Sequence, residues 1–81
     1  MNRLGEYLKQ WRTTAGLNQE AVAAKVGVGQ STISAAERGT LSAQLLVRLV
    51  NVYAPPTHEV GEAMMLPREE PAEPSAEAAG A

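Results

Sequence analysis

Apolar residues recur at intervals of three and four residues along most of the chain, which is the spacing that one face of an α-helix requires. From about Arg3 the pattern predicts a first helix, and Gly16 follows where a left-handed C-cap would end it. The inward stripe of this helix is Leu4, Tyr7, Leu8, Trp11 and Ala15.

Two shorter helical patterns come next and meet at Gly27. Asn18 is a good N-cap for the second helix, which Gly27 would end after about two turns. Gly29 can then serve as N-cap of a third helix over residues 30–38, with Gly39 ending it. The residues of these two helices that are predicted to face inward are Val22, Ala23, Val26, Ile33 and Ala36.

The second half of the chain predicts two more helices. Ser42 is the expected cap of the fourth helix, whose apolar residues point in nearly every direction. Pro55 and Pro56 would stop this helix, because proline has no backbone N–H to donate. Thr57 is the expected cap of a short fifth helix, which Pro67 would break.

The last residues, PREEPAEPSAEAAGA, contain three prolines, four glutamates and no aliphatic side chain larger than Ala. Such a segment cannot bury enough apolar surface to order itself, so we expect it to be disordered. The predicted architecture is all-α, with one five-helix domain over residues 1–66 and a disordered acidic tail over residues 67–81.

Composition removes most enzyme classes. The chain has no cysteine and a single histidine, His58, so it lacks thiolate nucleophiles and the ligands of a metal cluster. No Ser or Thr has a base placed near it in sequence, and no Gly-rich phosphate loop is present. We therefore expect no catalytic activity, no metal, no cofactor and no small-molecule substrate. No apolar run is long enough for a bilayer and no signal peptide is present, so a cytoplasmic location without membrane contact is expected.

Charge is distributed unevenly along the chain. Residues 1–58 carry six Lys or Arg and three Glu, a net charge of +3. Residues 59–81 carry one Arg and six Glu, a net charge of −5. A basic body with an acidic tail fits a nucleic-acid-binding protein and equally an ordinary solvated surface, so charge alone leaves both interpretations open.

The third helix has only two clearly inward residues, Ile33 and Ala36, and its other side is polar. A merely solvated helix would favour Glu and Lys, whereas Gln and short hydroxyl side chains suit hydrogen bonds to bases and phosphates. Two helices joined by a short glycine-containing turn also predict a helix-turn-helix unit, whose second helix enters the DNA major groove.

Residues 4–54 resemble the Cro/repressor helix-turn-helix family, also called the XRE family. The resemblance rests on Leu17-Asn18-Gln19, Ala23, Val26-Gly27-Val28, Ser31-Thr32-Ile33-Ser34 and Glu37-Arg38-Gly39. It implies a five-helix, lambda-repressor-like bundle that binds double-stranded operator DNA as a dimer. The function implied is that of a sequence-specific transcriptional regulator, and more narrowly of a repressor.

The resemblance also implies roles for single residues. The expected base contacts are Gln30, Ser31, Ser34 and Ala35. The expected phosphate contacts are Asn18, Gln19, Thr32, Arg38, Gly39 and Thr40. Arg12 and Glu37 are expected to form an ion pair that fixes the third helix instead of touching DNA.

Assembly follows from apolar residues that one small bundle cannot cover. The core of the bundle leaves no partner for Val47, Met64 and Met65. They are candidates for the interface of a weak homodimer. The alternative function is a protein-interaction module on the same fold, such as an antirepressor or an antitoxin-like partner binder. The loop after the third helix carries no basic residue at Gly39, Thr40 or Leu41, which favours that alternative.

Overall fold

The computed structural model describes residues 2–70, which form five α-helices joined by short connections. The helices are α1 (Arg3–Thr14), α2 (Gln19–Val26), α3 (Gln30–Ala36), α4 (Ala43–Tyr53) and α5 (Thr57–Met65). Within residues 2–70 there is no β-strand, only an isolated parallel bridge between Thr40 and Glu69. The all-helical prediction is confirmed for this part of the chain.

Three helices begin at side-chain caps. Asn18 and Ser42, both predicted caps, accept a hydrogen bond from the backbone N–H three residues later, at 2.7 and 3.1 Å. Asn2 does the same for α1 at 3.1 Å. The apolar pattern did not reveal the Asn2 cap, because that pattern starts only at Leu4.

The turn between α2 and α3 depends on Gly27. Its φ angle of 77° lies in the left-handed region, and its N–H donates to the carbonyl of Ala23 at 2.9 Å. The N–H of Val28 donates to the same carbonyl at 3.0 Å. Glycine adopts this conformation without the cost that a Cβ imposes, so α2 ends sharply and α3 can start three residues later.

The third helix is shorter than predicted. It ends at Ala36 instead of Arg38, and residues 37–39 form turns. Gly39, at a φ of 98°, donates its N–H to the carbonyl of Ala36, and Thr40 donates its N–H to that of Ala35. These two bonds satisfy the last carbonyls of the helix and turn the chain towards α4.

The start of the fifth helix also differs from the prediction. Thr57 was the expected cap, but it is the first helical residue and Pro56 holds the cap position. No side chain caps this helix. A proline there has its φ already fixed near −57°, which positions the chain for the first turn without a capping hydrogen bond.

One hydrophobic core joins all five helices. Leu41, in the connection between α3 and α4, is as deeply buried as the helical leucines, which the periodic pattern could not indicate. The buried residues are Leu4, Leu8, Trp11, Val22, Ala23, Ile33, Ala36, Leu41, Leu45, Leu46, Leu49, Tyr53 and Ala63. Each large aliphatic side chain among them contributes about 1.5–3 kcal/mol by leaving water.

The first residues of the predicted tail contact the domain. Leu41 donates its N–H to the carbonyl of Glu69 at 2.9 Å, and Glu69 donates its N–H to the carbonyl of Gly39 at 2.8 Å. For residues 67–70 the expected disorder is therefore wrong, because backbone groups hold this stretch without any need for apolar side chains. Residues 71–81 lie outside the described residues, so their expected disorder stays a prediction.

Candidate nucleic-acid interface

The outward side of α3 carries the residues expected to contact bases. Gln30 and Ser31 are exposed at its N-terminus, and Ser34 and Ala35, one turn later, are half-buried. Because residues four apart lie on the same side of a helix, these four side chains form one surface. Ile33 and Ala36 point the other way and are fully buried, which fixes the rotation of the helix on the core.

Arg38 contacts the same surface. Its guanidinium donates to the Ser34 hydroxyl at 2.9 Å, across one helical turn. Arg38 is exposed, and this hydrogen bond directs its positive charge along α3. The sequence assigned Ser34 to bases and Arg38 to phosphates, whereas the structure brings the two side chains into contact.

A half-buried polar cluster behind this surface joins α1 and α2 to the turn after α3. Glu37 accepts hydrogen bonds from Arg12 Nε at 2.6 Å and from Arg12 Nη2 at 3.3 Å. Gln19, the first residue of α2, donates its side-chain amide to Glu37 Oε1 at 3.1 Å. Arg12 Nη1 also donates to the carbonyl of Leu17 at 3.0 Å. The turn after α3 is thereby connected to α1 and to the start of α2.

The Arg12–Glu37 ion pair is largely shielded from water. The side chains are only 14% and 8% exposed, so the attraction is weakly screened. The hydrogen bond from Arg12 to Glu37 raises the pKa of the Arg12 guanidinium, and burial opposes this effect. The Arg12 guanidinium therefore stays charged, and the ion pair holds α3 at a fixed angle.

Two of the expected phosphate contacts lie at the N-terminus of α2. Asn18 is exposed and uses its side-chain oxygen as the helix cap, accepting from the N–H of Ala21. Gln19 is half-buried, with its amide directed to Glu37. The N-terminus of a helix favours an anion, because its first N–H groups lack intrahelical partners.

The expected phosphate contacts that follow Ser31 differ in exposure. Thr32 is half-buried on α3. Gly39 is buried and its N–H and carbonyl are both used inside the domain, so its predicted phosphate contact is not supported. The physical reason is that Gly39 closes the turn after α3. Thr40 is half-buried, and its hydroxyl donates to Glu69 Oε1 at 3.2 Å.

Gly5 also positions the interface, and the sequence pattern missed it. A Cβ at Gly5 would overlap the carbonyl oxygen of Glu37. Helix α1 therefore approaches the turn after α3 backbone to backbone, which only a residue without a side chain permits. A glycine inside an otherwise regular helical pattern was the available signal for such an approach.

Helix α5 is fastened to α1 by polar side chains. Trp11 Nε1 donates to Glu59 at 2.7 Å, and Glu62 accepts from the Tyr7 hydroxyl at 2.5 Å and from Arg3 at 2.7 Å. The hydrogen bond to Glu62 raises the pKa of the Tyr7 phenol. The sequence assigned Trp11 and Tyr7 to the core only, and the spacing of the two glutamates on one face of α5 was the signal for these contacts.

Three large apolar side chains remain exposed on α4 and α5. Val47 is 50% exposed, Met64 42% and Met65 86%. These are the same three residues for which the sequence analysis found no partner in the core. Scattered apolar residues are common on surfaces, but a methionine as exposed as Met65 has little contact with its own domain.

Two other kinds of feature are absent from the part of the chain that the structure describes. Among residues 2–70, no group of three or more His, Cys, Asp or Glu is placed to hold a metal ion. Within the same residues, no helix has both the length and the apolar character needed to cross a membrane.

Comparison with known proteins agrees with this geometry. A family model described as a helix-turn-helix domain matches residues 3–63. Neither the curated proteins nor the solved structures gave a match to the chain. The matched range covers all of α1 to α4 and most of α5, including the residues of the Arg12–Glu37–Gln19 cluster. The chain belongs to this helix-turn-helix family of XRE-like DNA-binding domains.

Proposed function

We propose that the chain is a sequence-specific transcriptional regulator that reads the major groove of double-stranded DNA with α3. The observation that carries the proposal is the polar outward side of α3, on a helix whose rotation is fixed by Ile33, Ala36 and Glu37. Gln30 stands at the N-terminal end of this helix, the part that meets base edges in helix-turn-helix proteins. A glutamine amide can make two hydrogen bonds to adenine.

Phosphate contacts come from the N-terminus of α2 and from Arg38. Asn18 and Gln19 stand where backbone N–H groups and the helix dipole favour an anion. Arg38 contributes a positive charge at the other end of α3, and the half-buried Thr32 adds a hydroxyl. Such contacts set the register of the protein on DNA without reading its sequence.

The proposed assembly is a weak homodimer that tightens on DNA. A single α3 reads only a few base pairs, so useful specificity requires two recognition helices about 34 Å apart on a two-fold operator. Val47, Met64 and Met65 supply exposed apolar surface for a second copy. The expected regulatory outcome is repression, because a dimer bound over a promoter excludes the polymerase. The location that goes with this function is the cytoplasm.

Selection of bound sites from random duplex DNA tests this proposal directly. We expect enrichment of a two-fold symmetric sequence whose half-sites are separated by about one helical turn. The matched control is the Gln30→Ala variant, which should enrich a half-site degenerate at one position. Recovery of random sequences by both proteins would contradict sequence-specific reading.

A second candidate function is binding of a protein partner through α4 and α5. The exposure of Val47 and Met65 favours it, as does the loop after α3, which has no basic residue from Gly39 to Leu41. The two functions predict opposite results in the duplex selection. A partner-binding module would leave random DNA unenriched, and its Val47→Glu variant would lose the partner without any change in DNA binding.

A further inference from the structure

The stretch after α5 contacts the loop that follows the recognition helix. We call residues 67–70 the acidic clasp. Its central residue, Glu69, exchanges two backbone hydrogen bonds with residues 39 and 41, at 2.8 and 2.9 Å, in a parallel bridge opposite Thr40. Asn2, the cap of α1, donates its side-chain amide to the carbonyl of Pro67 at 3.5 Å. The clasp is thus held mainly through backbone groups.

The side chain of Glu69 adds a contact that the backbone bridge does not require. Its Oε1 accepts the hydroxyl proton of Thr40 at 3.2 Å. Among residues 2–70, Glu69 has no cationic partner, whereas its neighbour Glu70 forms an ion pair with Arg68 at 2.7 Å. An exposed carboxylate therefore carries an uncompensated negative charge beside Thr40.

The position of this charge matters because Thr40 is one of the phosphate contacts that the family resemblance implies. It lies four residues after the end of α3. A phosphate offers the same kind of group as a carboxylate, an anionic oxygen that accepts a hydrogen bond. One hydroxyl donates one hydrogen bond, so Glu69 and a phosphate cannot both receive it from Thr40.

We infer that Glu69 is an intramolecular competitor of DNA phosphate at Thr40, and this inference rests on the proposed DNA-binding function. In the free protein the Glu69 carboxylate accepts the hydrogen bond of the Thr40 hydroxyl and repels an approaching phosphate. On DNA a phosphate oxygen accepts this hydrogen bond in place of the carboxylate, while the backbone bridge at Glu69 stays in place. The clasp thereby lowers affinity for all DNA, since phosphate contacts are independent of sequence.

The test compares Glu69→Gln with Glu70→Gln, two variants with the same change in net charge at adjacent positions. Binding to a selected site and to a random duplex is measured by fluorescence anisotropy at about 50 mM and about 200 mM salt. We expect Glu69→Gln to bind both duplexes about threefold to tenfold more tightly at low salt, with a smaller gain at high salt. The Glu70→Gln variant should show a clearly smaller gain in affinity for both duplexes.

A double-mutant cycle with Thr40→Val separates the contact from a general charge effect. In the Thr40→Val background, Glu69→Gln should produce only the small gain of Glu70→Gln. Equal gains for both glutamates, or a gain that persists without the Thr40 hydroxyl, would overturn the inference. So would a fall in Tm of Glu69→Gln without any gain in affinity, because the side chain would then be structural only. If the parent protein binds neither duplex, the proposed function itself fails, which is a distinct result.

Discussion

The carboxylate of Glu37 accepts two hydrogen bonds from the guanidinium of Arg12, although 25 residues separate the two in sequence. Gln19 donates a third hydrogen bond to the same carboxylate. The first residue of α2 and the last turn of α1 therefore share one acceptor, which lies in the turn after α3. This cluster fixes the angle of α3 on the core, and it leaves the Arg12 side chain only 14% exposed.

Replacing Glu37 by Ala should strongly destabilise the fold. Removal of one partner leaves the Arg12 charge in a place that is only 14% exposed, at a cost of about 3–5 kcal/mol. The measurement is urea unfolding followed by circular dichroism. Glu62→Ala is the matched control, because it removes an ion pair whose side chains are 67% and 43% exposed and should cost about 1 kcal/mol or less. Equal losses for the two variants would mean that the Arg12–Glu37 pair has no special structural role.

Gly5→Ala should also destabilise the protein. A Cβ at this position overlaps the carbonyl oxygen of Glu37, so α1 or the turn after α3 must move, at about 1–3 kcal/mol. Gly61→Ala, on α5, tests the same substitution in open space, since a Cβ there would have no heavy atom within 4 Å apart from its chain neighbours and the backbone of its own helix. That variant should gain about 0.5–1 kcal/mol from helix propensity. Thermal unfolding that ranks the two in the reverse order would contradict the close approach of α1 to Glu37.

Tyr53 should cause a loss of stability at alkaline pH. Burial, and to a smaller extent the charge of Glu37, raise the pKa of this phenol to about 12. The unfolded chain loses the phenol proton near pH 10, so between about pH 10 and 12 the unfolded state binds fewer protons than the native state. The stabilising contribution is complete below pH 10 and is lost as pH rises towards 12. Equilibrium unfolding at several pH values measures this loss in the free energy of unfolding.

The control for this pH effect is Tyr53→Phe. The Tyr53 hydroxyl is buried and has no hydrogen-bond partner among residues 2–70, so its removal should be neutral, or stabilising by up to about 1 kcal/mol, at neutral pH. The alkaline loss should become smaller, with a residual part from Tyr7, whose pKa is also raised. A large destabilisation at neutral pH would instead indicate that the hydroxyl makes an essential contact.

Gln30→Ala should weaken binding to the best operator by about 1–3 kcal/mol per subunit and change binding to random DNA little. The physical reason is that a bidentate contact to one base discriminates among sequences, whereas phosphate contacts do not. Competition binding with both duplexes measures the difference. Gln10→Ala, at an exposed glutamine of α1, should change neither affinity. Equal losses on the two duplexes would assign Gln30 to the phosphate backbone.

Val47→Glu or Met65→Glu should reduce operator binding while the monomer stays folded. Both side chains are at least half exposed, so a charge there is solvated in the monomer and unfavourable only in an apolar interface. Sedimentation with a two-fold operator duplex counts the subunits bound at saturation, and Gln10→Glu controls for the added negative charge. One wild-type subunit per two-fold site would refute the dimer.

The sequence alone determined the features that depend on near neighbours. The apolar spacing and the caps Asn18 and Ser42 located the helices, because a cap and its helix lie within four residues of each other. Gly27 marked the turn of the helix-turn-helix unit, since a left-handed residue ends a helix wherever it stands. The polar composition of α3 likewise followed from the helical period.

The tertiary structure decided what depends on contacts between distant parts of the chain. Gly5 has to be a glycine because the backbone of Glu37 lies against it. Glu59 and Glu62 accept hydrogen bonds from side chains of α1. The acidic clasp brings Glu69 to Thr40, 29 residues away in sequence. A local pattern can mark one side of such a contact, but it cannot identify the partner, because the packing of the helices decides which side chains meet. The clasp was missed for the same reason: composition measures how much apolar surface a segment can bury, and not whether its backbone finds hydrogen-bond partners elsewhere.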